Sequence, residues 1–189
     1  MHAALHTEQF LLTGFKRVDK VLASGTECHI LTMQWKEVGE ITRLAMLIGE
    51  YAHVLDPKKR LSLPSKFRKE LGGKIVVTRG LDQCLFVYSL KEWEKISERL
   101  GELSIGQADT RGFNRFMLSG AVEVEVDAAG RILIPDFLKD FAKLEQNVVI
   151  AGIHNRVEIW EEKLWNEYKA RVEKQADQLA QKLGELGIL

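Results

Sequence analysis

The pattern Asp-x-x-x-Arg-apolar-x-apolar-Pro occurs twice in this chain, and that repetition constrains the fold more than any other feature. The first copy runs Asp56-Pro57-Lys58-Lys59-Arg60-Leu61-Ser62-Leu63-Pro64, the second Asp127-Ala128-Ala129-Gly130-Arg131-Ile132-Leu133-Ile134-Pro135. The correspondence continues past the prolines. Phe67 aligns with Leu138, Arg68 with Lys139, and Ile75-Val76-Val77 with Val148-Val149-Ile150; Val87-Tyr88 then falls on Ile159-Trp160 and Trp93 on Trp165. A match of this length is an internal duplication of a unit of about 45 residues. Four short strands and a turn or two of helix cannot close a core in so small a unit. Each copy leaves sheet edges and an apolar face uncovered. The expected solution is two interlocked copies, each supplying strands that the other lacks.

In the first copy, alternation predicts a strand over 51–55, a turn over 56–59 and a second strand over 60–63. Pro64 stops that strand because it has no N–H to donate. Its fixed φ starts a short helix over 65–71, which Gly72-Gly73 ends. Strands follow at 74–78 and 84–88 around a turn at 80–83. Trp93, Ile96 and Leu100 at helical spacing predict a helix over 90–100. The second copy repeats the strands at 121–126, 131–134, 147–151 and 156–160. A helix from 161 then carries Leu164, Trp165, Tyr168, Val172, Ala176, Leu179 and Leu183 on one face, a stripe expected to stay exposed and to drive self-association. Between the copies, 106–119 reads as a helix with Phe113, Phe116 and Met117. The domain plan is an extension at 1–45, a first repeat at 50–92, connecting helices at 93–120, a second repeat at 121–164 and a C-terminal helix at 165–189. The extension shows no sustained period and is expected to be poorly ordered, outside the fold.

Net charge is zero over the 189 residues, so the chain as a whole does not attract nucleic acid by its charge. The charge is divided between the copies instead. Residues 49–74 hold seven Lys or Arg against three acids, a net of +4; residues 120–146 hold three against six, a net of −3. Lys58, Lys59, Arg60, Lys66 and Arg68 cluster on one turn and the helix after it, as contact with phosphate requires. A solvated basic face is the ordinary explanation of such a cluster, but the second copy is an internal control from which the cluster is missing. Arg60 has the forked geometry that reads a guanine edge in the major groove. Asp56, Asp127 and Arg131 read as structural, each aspartate bonding across its turn and pairing with its arginine.

Other chemistries find little support. Cys28 and Cys84 lack the spacing of a zinc ribbon or a disulfide framework and suit a reducing compartment. No apolar run approaches the ~18 residues of a membrane span, and residues 10–15 are too short for a signal peptide. The expected setting is soluble and cytoplasmic, without a membrane partner. Gly-x-Gly nucleotide cradles are missing, Cys28-His29 has no partner pair, and His53 and His154 stand alone, so neither cofactor nor metal is expected. Trp93 and Trp165 occupy equivalent positions and read as core. An acid–base pair of Asp56 and Asp127 is the enzymatic alternative. No His, Ser or Cys motif sits beside either aspartate, and the chain is not read as an enzyme.

Gly49-Glu50-Tyr51-Ala52-His53-Val54-Leu55-Asp56, followed by Arg60-Leu61-Ser62-Leu63-Pro64 and Lys66-Phe67-Arg68, resembles the start of the bacterial MraZ family. Gly130 to Pro135 and Val157-Glu158-Ile159-Trp160 resemble its second half. The likeness covers roughly 46–185. It implies an α+β, strand-rich fold of tandem SpoVT-AbrB-type swapped-hairpin repeats, closed as an intramolecular pseudo-dimeric β-barrel with peripheral helices. It implies a ring-shaped homo-oligomer, cytoplasmic and nucleoid-associated, acting on the promoter of the cell division and cell wall gene cluster, usually as a repressor. The implied partner is double-stranded DNA carrying tandem TGGG-type boxes upstream of the protein's own gene, about one helical turn apart. The family's DNA-contact motif carries onto Arg60, with Lys58, Lys59, Lys66 and Arg68 flanking it.

One position departs from the family pattern. Lys59 stands where glycine is usual, as at Gly130, and a lysine there is strained if the turn needs φ > 0. The family also begins where Met46 stands. Trp35 is necessarily encoded TGG, and the T of the Val38-Gly39 codons, GTNGGN, follows about one helical turn later. Residues 33–40 therefore read as operator DNA translated in frame, with Met46 as the start. An antitoxin-like module of the same fold, whose main partner is a protein, is the alternative. Such proteins carry one unit and a disordered tail, whereas this chain has two units and ends in a patterned helix. A 46–189 fragment is expected to match the full chain in melting temperature, oligomeric size and DNA affinity. Thermal melts, light scattering and binding assays check this, and a large drop in melting temperature would place the extension in the core.

Overall fold

A computed structural model describes residues 46–188; the expectations for 1–45, including the in-frame reading of 33–40, lie outside the described residues. The elements are β1 (Leu47–Val54), β2 (Arg60–Ser62), α1 (Ser65–Leu71), β3 (Lys74–Arg79), β4 (Leu85–Ser89), α2 (Leu90–Gly101) and α3 (Ala108–Leu118), then β5 (Val122–Glu125), β6 (Arg131–Leu133), α4 (Asp136–Phe141), β7 (Asn147–His154), β8 (Arg156–Glu161) and α5 (Glu162–Glu185). Pro64 and Pro135 occupy the N-cap positions of α1 and α4, so one residue type both ends the short strand and opens the helix. Ser89 caps α2 by accepting a hydrogen bond from the Glu92 backbone N–H.

The fold is mixed α+β and strand-rich. Six strands form an antiparallel sheet in the order β1-β7-β8-β4-β3-β5, and β2 and β6 form a separate two-stranded ribbon. Each copy builds on the other. β1 pairs along its whole length with β7, from Leu47 opposite His154 to Val54 opposite Asn147. β5 pairs with β3 and β4 with β8. The expected 51–55 and 147–151 strands are both longer in the structure. Their true partners lie in the opposite copy, and alternation within a single segment does not reveal such a partner.

The barrel is not closed. β1 and β5 are left as the edges of an open sheet. β2 and β6 are three residues each and are cut short by prolines, so they pair with one another instead of bridging the sheet edges. An isolated bridge between Leu55 and Leu61 ties the ribbon to the chain leaving β1.

Two apolar clusters form on opposite faces of the sheet. Leu61, Ile132 and Ile134 from the ribbon region pack with Phe67, Leu138 and Ile150 in the larger one. Each such fully buried side chain contributes about 1.5–3 kcal/mol relative to exposure. On the other face Phe86, Tyr88 and Trp160 meet Leu100, Met117 and the half-buried Trp93, Trp165 and Tyr168. Trp165 and Tyr168 lie 5.4 and 5.0 Å from Trp160, ring centre to ring centre. This corrects the expected exposed stripe: its aromatic part packs on the chain's own sheet, and Leu179 and Leu183 remain exposed. In the same cluster, Arg156 Nε and Trp160 Nε1 donate to Glu158 at 2.9 and 3.1 Å, which satisfies a buried carboxylate.

At Gly152 on β7 the β1 backbone leaves no room for a side chain. A Cβ there would sit 2.7 Å from the Leu47 carbonyl carbon and from Phe67 Cζ, and 2.8 Å from the Ile48 nitrogen. Gly152→Ala is therefore expected to cost about 1–3 kcal/mol by forcing β1 off β7. Urea denaturation measures this, and an unchanged midpoint would show that β1 yields freely.

Candidate nucleic-acid interface

The two repeated turns share one hydrogen-bond pattern. In the first, Lys59 N donates to Asp56 O at 2.8 Å and Asp56 N to Arg60 O at 3.0 Å. The Asp56 carboxylate accepts the Arg60 backbone N–H on Oδ1 and Arg60 Nε on Oδ2, both at 2.8 Å. In the second, Gly130 N donates to Asp127 O and Asp127 N to Arg131 O, both at 2.8 Å. Asp127 Oδ1 accepts from the backbones of Ala129 and Arg131, and Oδ2 from Arg131 Nε, each at 2.9 Å. Each aspartate closes its turn and orients its arginine. The Arg60 backbone N–H, chiefly, holds the Asp56 carboxyl below its ordinary range. The Arg131 side chain does the same for Asp127, and Asp127 raises Arg131 in return. Two carboxylates that are each held ionised by an arginine do not form an acid–base pair, which needs their pKa values pushed apart.

The turn tip requires the left-handed region: φ is 60° at Lys59 and 77° at Gly130. Lysine there is strained by about 1–2 kcal/mol. The tip carbonyls then cross between copies, with Ile134 N donating to Lys59 O at 2.9 Å and Leu63 N to Gly130 O at 3.0 Å. The side chains above the tips cross as well. A Cβ on Gly130 would lie 1.8 Å from Arg68 Nη1 and 2.5 Å from its Cδ, so Arg68 of α1 covers the second turn. Its Nε is buried without a partner among the described residues. The Lys59 ammonium pairs with Asp136, the first residue of α4.

Strand alternation decides what the ribbon shows to solvent. Leu61 and Ile132 stand opposite each other and are fully buried. Their neighbours turn outward, Arg60 opposite Leu133 and Ser62 opposite Arg131. The charge count separates Arg60 from Arg131, but the structure brings them onto one face of one ribbon. Lys58 is exposed on the first turn, and exposed Lys66 on α1 reaches the Ile48 carbonyl at 3.5 Å. Arg68 lies against the second turn, apart from the cluster it belongs to in sequence. Part of the +4 excess is also paired across copies, since Lys74 meets Glu123 and Glu125 of β5. Ser62, Leu133 and Asp136 escaped the sequence reading; alternation within both motifs was the available signal for the first two. Among the described residues, no group of three or more His, Cys, Asp or Glu comes together as a metal site, and no helix is long and apolar enough to cross a membrane.

A sequence model described as "MraZ protein, putative antitoxin-like" matches the chain twice, over residues 46–116 and 117–184. The chain belongs to the MraZ family. Similar relatives, each named transcriptional regulator MraZ, come from Caldicellulosiruptor saccharolyticus (52% identical), Caldanaerobacter subterraneus subsp. tengcongensis (49%) and Natranaerobius thermophilus (45%). Each alignment spans 143 residues, 76% of this chain and the whole of the relative. The two MraZ matches meet between Phe116 and Met117, inside α3, and each holds one Asp–Arg turn.

The turn aspartates also set an acid limit. Their folded pKa values lie below the ordinary 3.8, so the stability they contribute is complete above that value and is lost as pH falls through the depressed ones. Asp56→Asn with Asp127→Asn is expected to lower stability at neutral pH and to flatten its decline in acid. Denaturant midpoints along a pH series test this, and an acid decline as steep as the wild type's would assign it to other carboxylates.

Proposed function

We propose that this chain is a DNA-binding transcriptional regulator that docks the β2–β6 ribbon in the major groove. The carrying observation is the pair Arg60 and Arg131, each oriented by its aspartate on one outward face. A two-stranded ribbon fits the major groove, where a guanidinium fork reads guanine O6 and N7. Lys58, Lys59 and Lys66 supply phosphate contacts, which set register without specifying sequence. Arg68 contributes its charge from beside the second turn. The relatives' name, transcriptional regulator MraZ, supports the same reading.

The target is a set of tandem short boxes upstream of the protein's own gene, in a cell division and cell wall cluster, and the protein works in the cytoplasm at the nucleoid. The repeats at 50–92 and 121–164, joined by 93–120 and followed by 165–189, are SpoVT-AbrB-type swapped-hairpin units forming an intramolecular pseudo-dimer. The pairing of β1 with β7 and of β3 with β5 supports that assignment. Copies assemble head to tail into a ring. The open edges β1 and β5 and the exposed Leu179 and Leu183 of α5 leave surface for neighbours. A ring presents several ribbons, so tandem boxes are bound with avidity. The antitoxin-like reading, with a protein partner, is favoured by the exposed Leu179, Leu183 and Leu186 near the end of α5.

Arg60→Ala is expected to weaken binding to a box by about 1–3 kcal/mol per site, and Arg131→Ala by less, because Ala128, Ala129 and Gly130 stand in the second turn where the first has Pro57, Lys58 and Lys59. Fluorescence anisotropy on boxed and scrambled duplexes, with melting curves as the control for folding, checks this. Equal losses in two well-folded variants would defeat the asymmetry; no loss in either would defeat the DNA reading in favour of a protein partner.

A further inference from the structure

Lys59 keeps a left-handed backbone that glycine adopts without strain. Glycine would make the same two backbone bonds, to Asp56 O and from Ile134 N. What lysine adds is the pair with Asp136. The two side chains are 41% and 69% exposed, and ion pairs that open to solvent contribute less to stability than the strain removes. Folding therefore does not account for the lysine. The reciprocal crossing differs in kind, since Arg68 covers Gly130, which has no side chain to pair. Of the two tips, the first alone carries a cation held by a removable surface carboxylate, and that carboxylate belongs to the other copy.

We propose that Asp136 is an intramolecular stand-in for a DNA phosphate, holding Lys59 in the free protein and yielding it when the ribbon docks. The inference rests on the DNA reading above and deepens it. Exchanging one anion for another offsets part of what Lys59 gains from the duplex, so Asp136 lowers affinity. Base readout by Arg60 is untouched, because a phosphate contact carries no sequence information. Boxed and scrambled duplexes are therefore weakened by one common factor.

The test uses the full chain, a duplex with one box and a scrambled duplex of equal length, followed by anisotropy across a salt series. Asp136→Asn should tighten both by a common factor of about two to five. That gain should vanish when Lys59→Gly is added. In the Asp136→Asn background, Lys59→Gly should reduce the slope of log K against log salt by about 0.9, the signature of one lost phosphate contact. A gain that persists in full without Lys59 makes Asp136 a general repellent of DNA and overturns the exchange. Binding lost in Arg60→Ala but unmoved by Asp136→Asn overturns the exchange alone. No duplex binding by the wild-type chain overturns the DNA reading and the exchange together.

Discussion

Leu61 and Ile132 face each other across the middle of the ribbon, one from each copy, and neither is exposed to solvent. Much of the molecule follows from that contact. A three-residue strand has no stability of its own; the ribbon persists because its inward pair joins the larger apolar cluster. With Leu61 and Ile132 inward, the pleat turns Arg60 and Arg131 outward, and each turn aspartate then fixes its arginine's direction. A one-residue slip in pairing would set an arginine of one strand beside the apolar residue of the other, so that one guanidinium turned inward and one apolar residue outward. The register of the outward face is thus set by the core beneath it.

Fusing the copies into one chain lets the equivalent positions diverge, as identical subunits cannot. Gly152 admits the β1 backbone, whereas Arg79, its counterpart on β3, extends its guanidinium among the rings of Phe116, Phe137 and Phe141 at 5.9 to 6.0 Å. This cation–π contact ties α3 to α4, and so fastens the connection between the copies to the second of them. Lys66 on α1 corresponds to Phe137 on α4, and Ser65 to Asp136. The same backbone therefore carries a basic helix in one half and an acidic, aromatic one in the other.

The element order was legible in the sequence because the motif states it twice, and its closing proline, Pro64 or Pro135, marks a strand end and a helix start together. Strand lengths were less legible. β1 and β7 each extend to match a partner in the other copy, and only pairing reveals that length. The last helix misled for a related reason: Trp165 and Tyr168 do lie on one face, but periodicity does not say whether that face meets Trp160 or solvent. At the candidate site, the turn chemistry of Asp56 with Arg60 and Asp127 with Arg131 follows from residue type and spacing. The convergence of the two arginines does not, since it needs the cross-copy ribbon. The contact of Arg68 with Gly130 was equally hidden, because α1 reaches a turn that lies far along the chain.

Charge counting therefore reads differently once the chain is folded. Lys59 and Lys74 belong to the basic copy, yet both are paired with acids of the other, while Arg68 is carried over to the second turn. The contrast between copies is partly neutralised by these exposed pairs. What stays on the ribbon is a local field, with exposed Lys58 beside Arg60, while Ala128 and Ala129 fill the second turn and its added cation, Arg68, reaches it from α1. Exposed charges lose their influence beyond about 10 Å at moderate salt. The difference between the two turns is therefore set by the few residues gathered at each, and the net charge of either half matters much less.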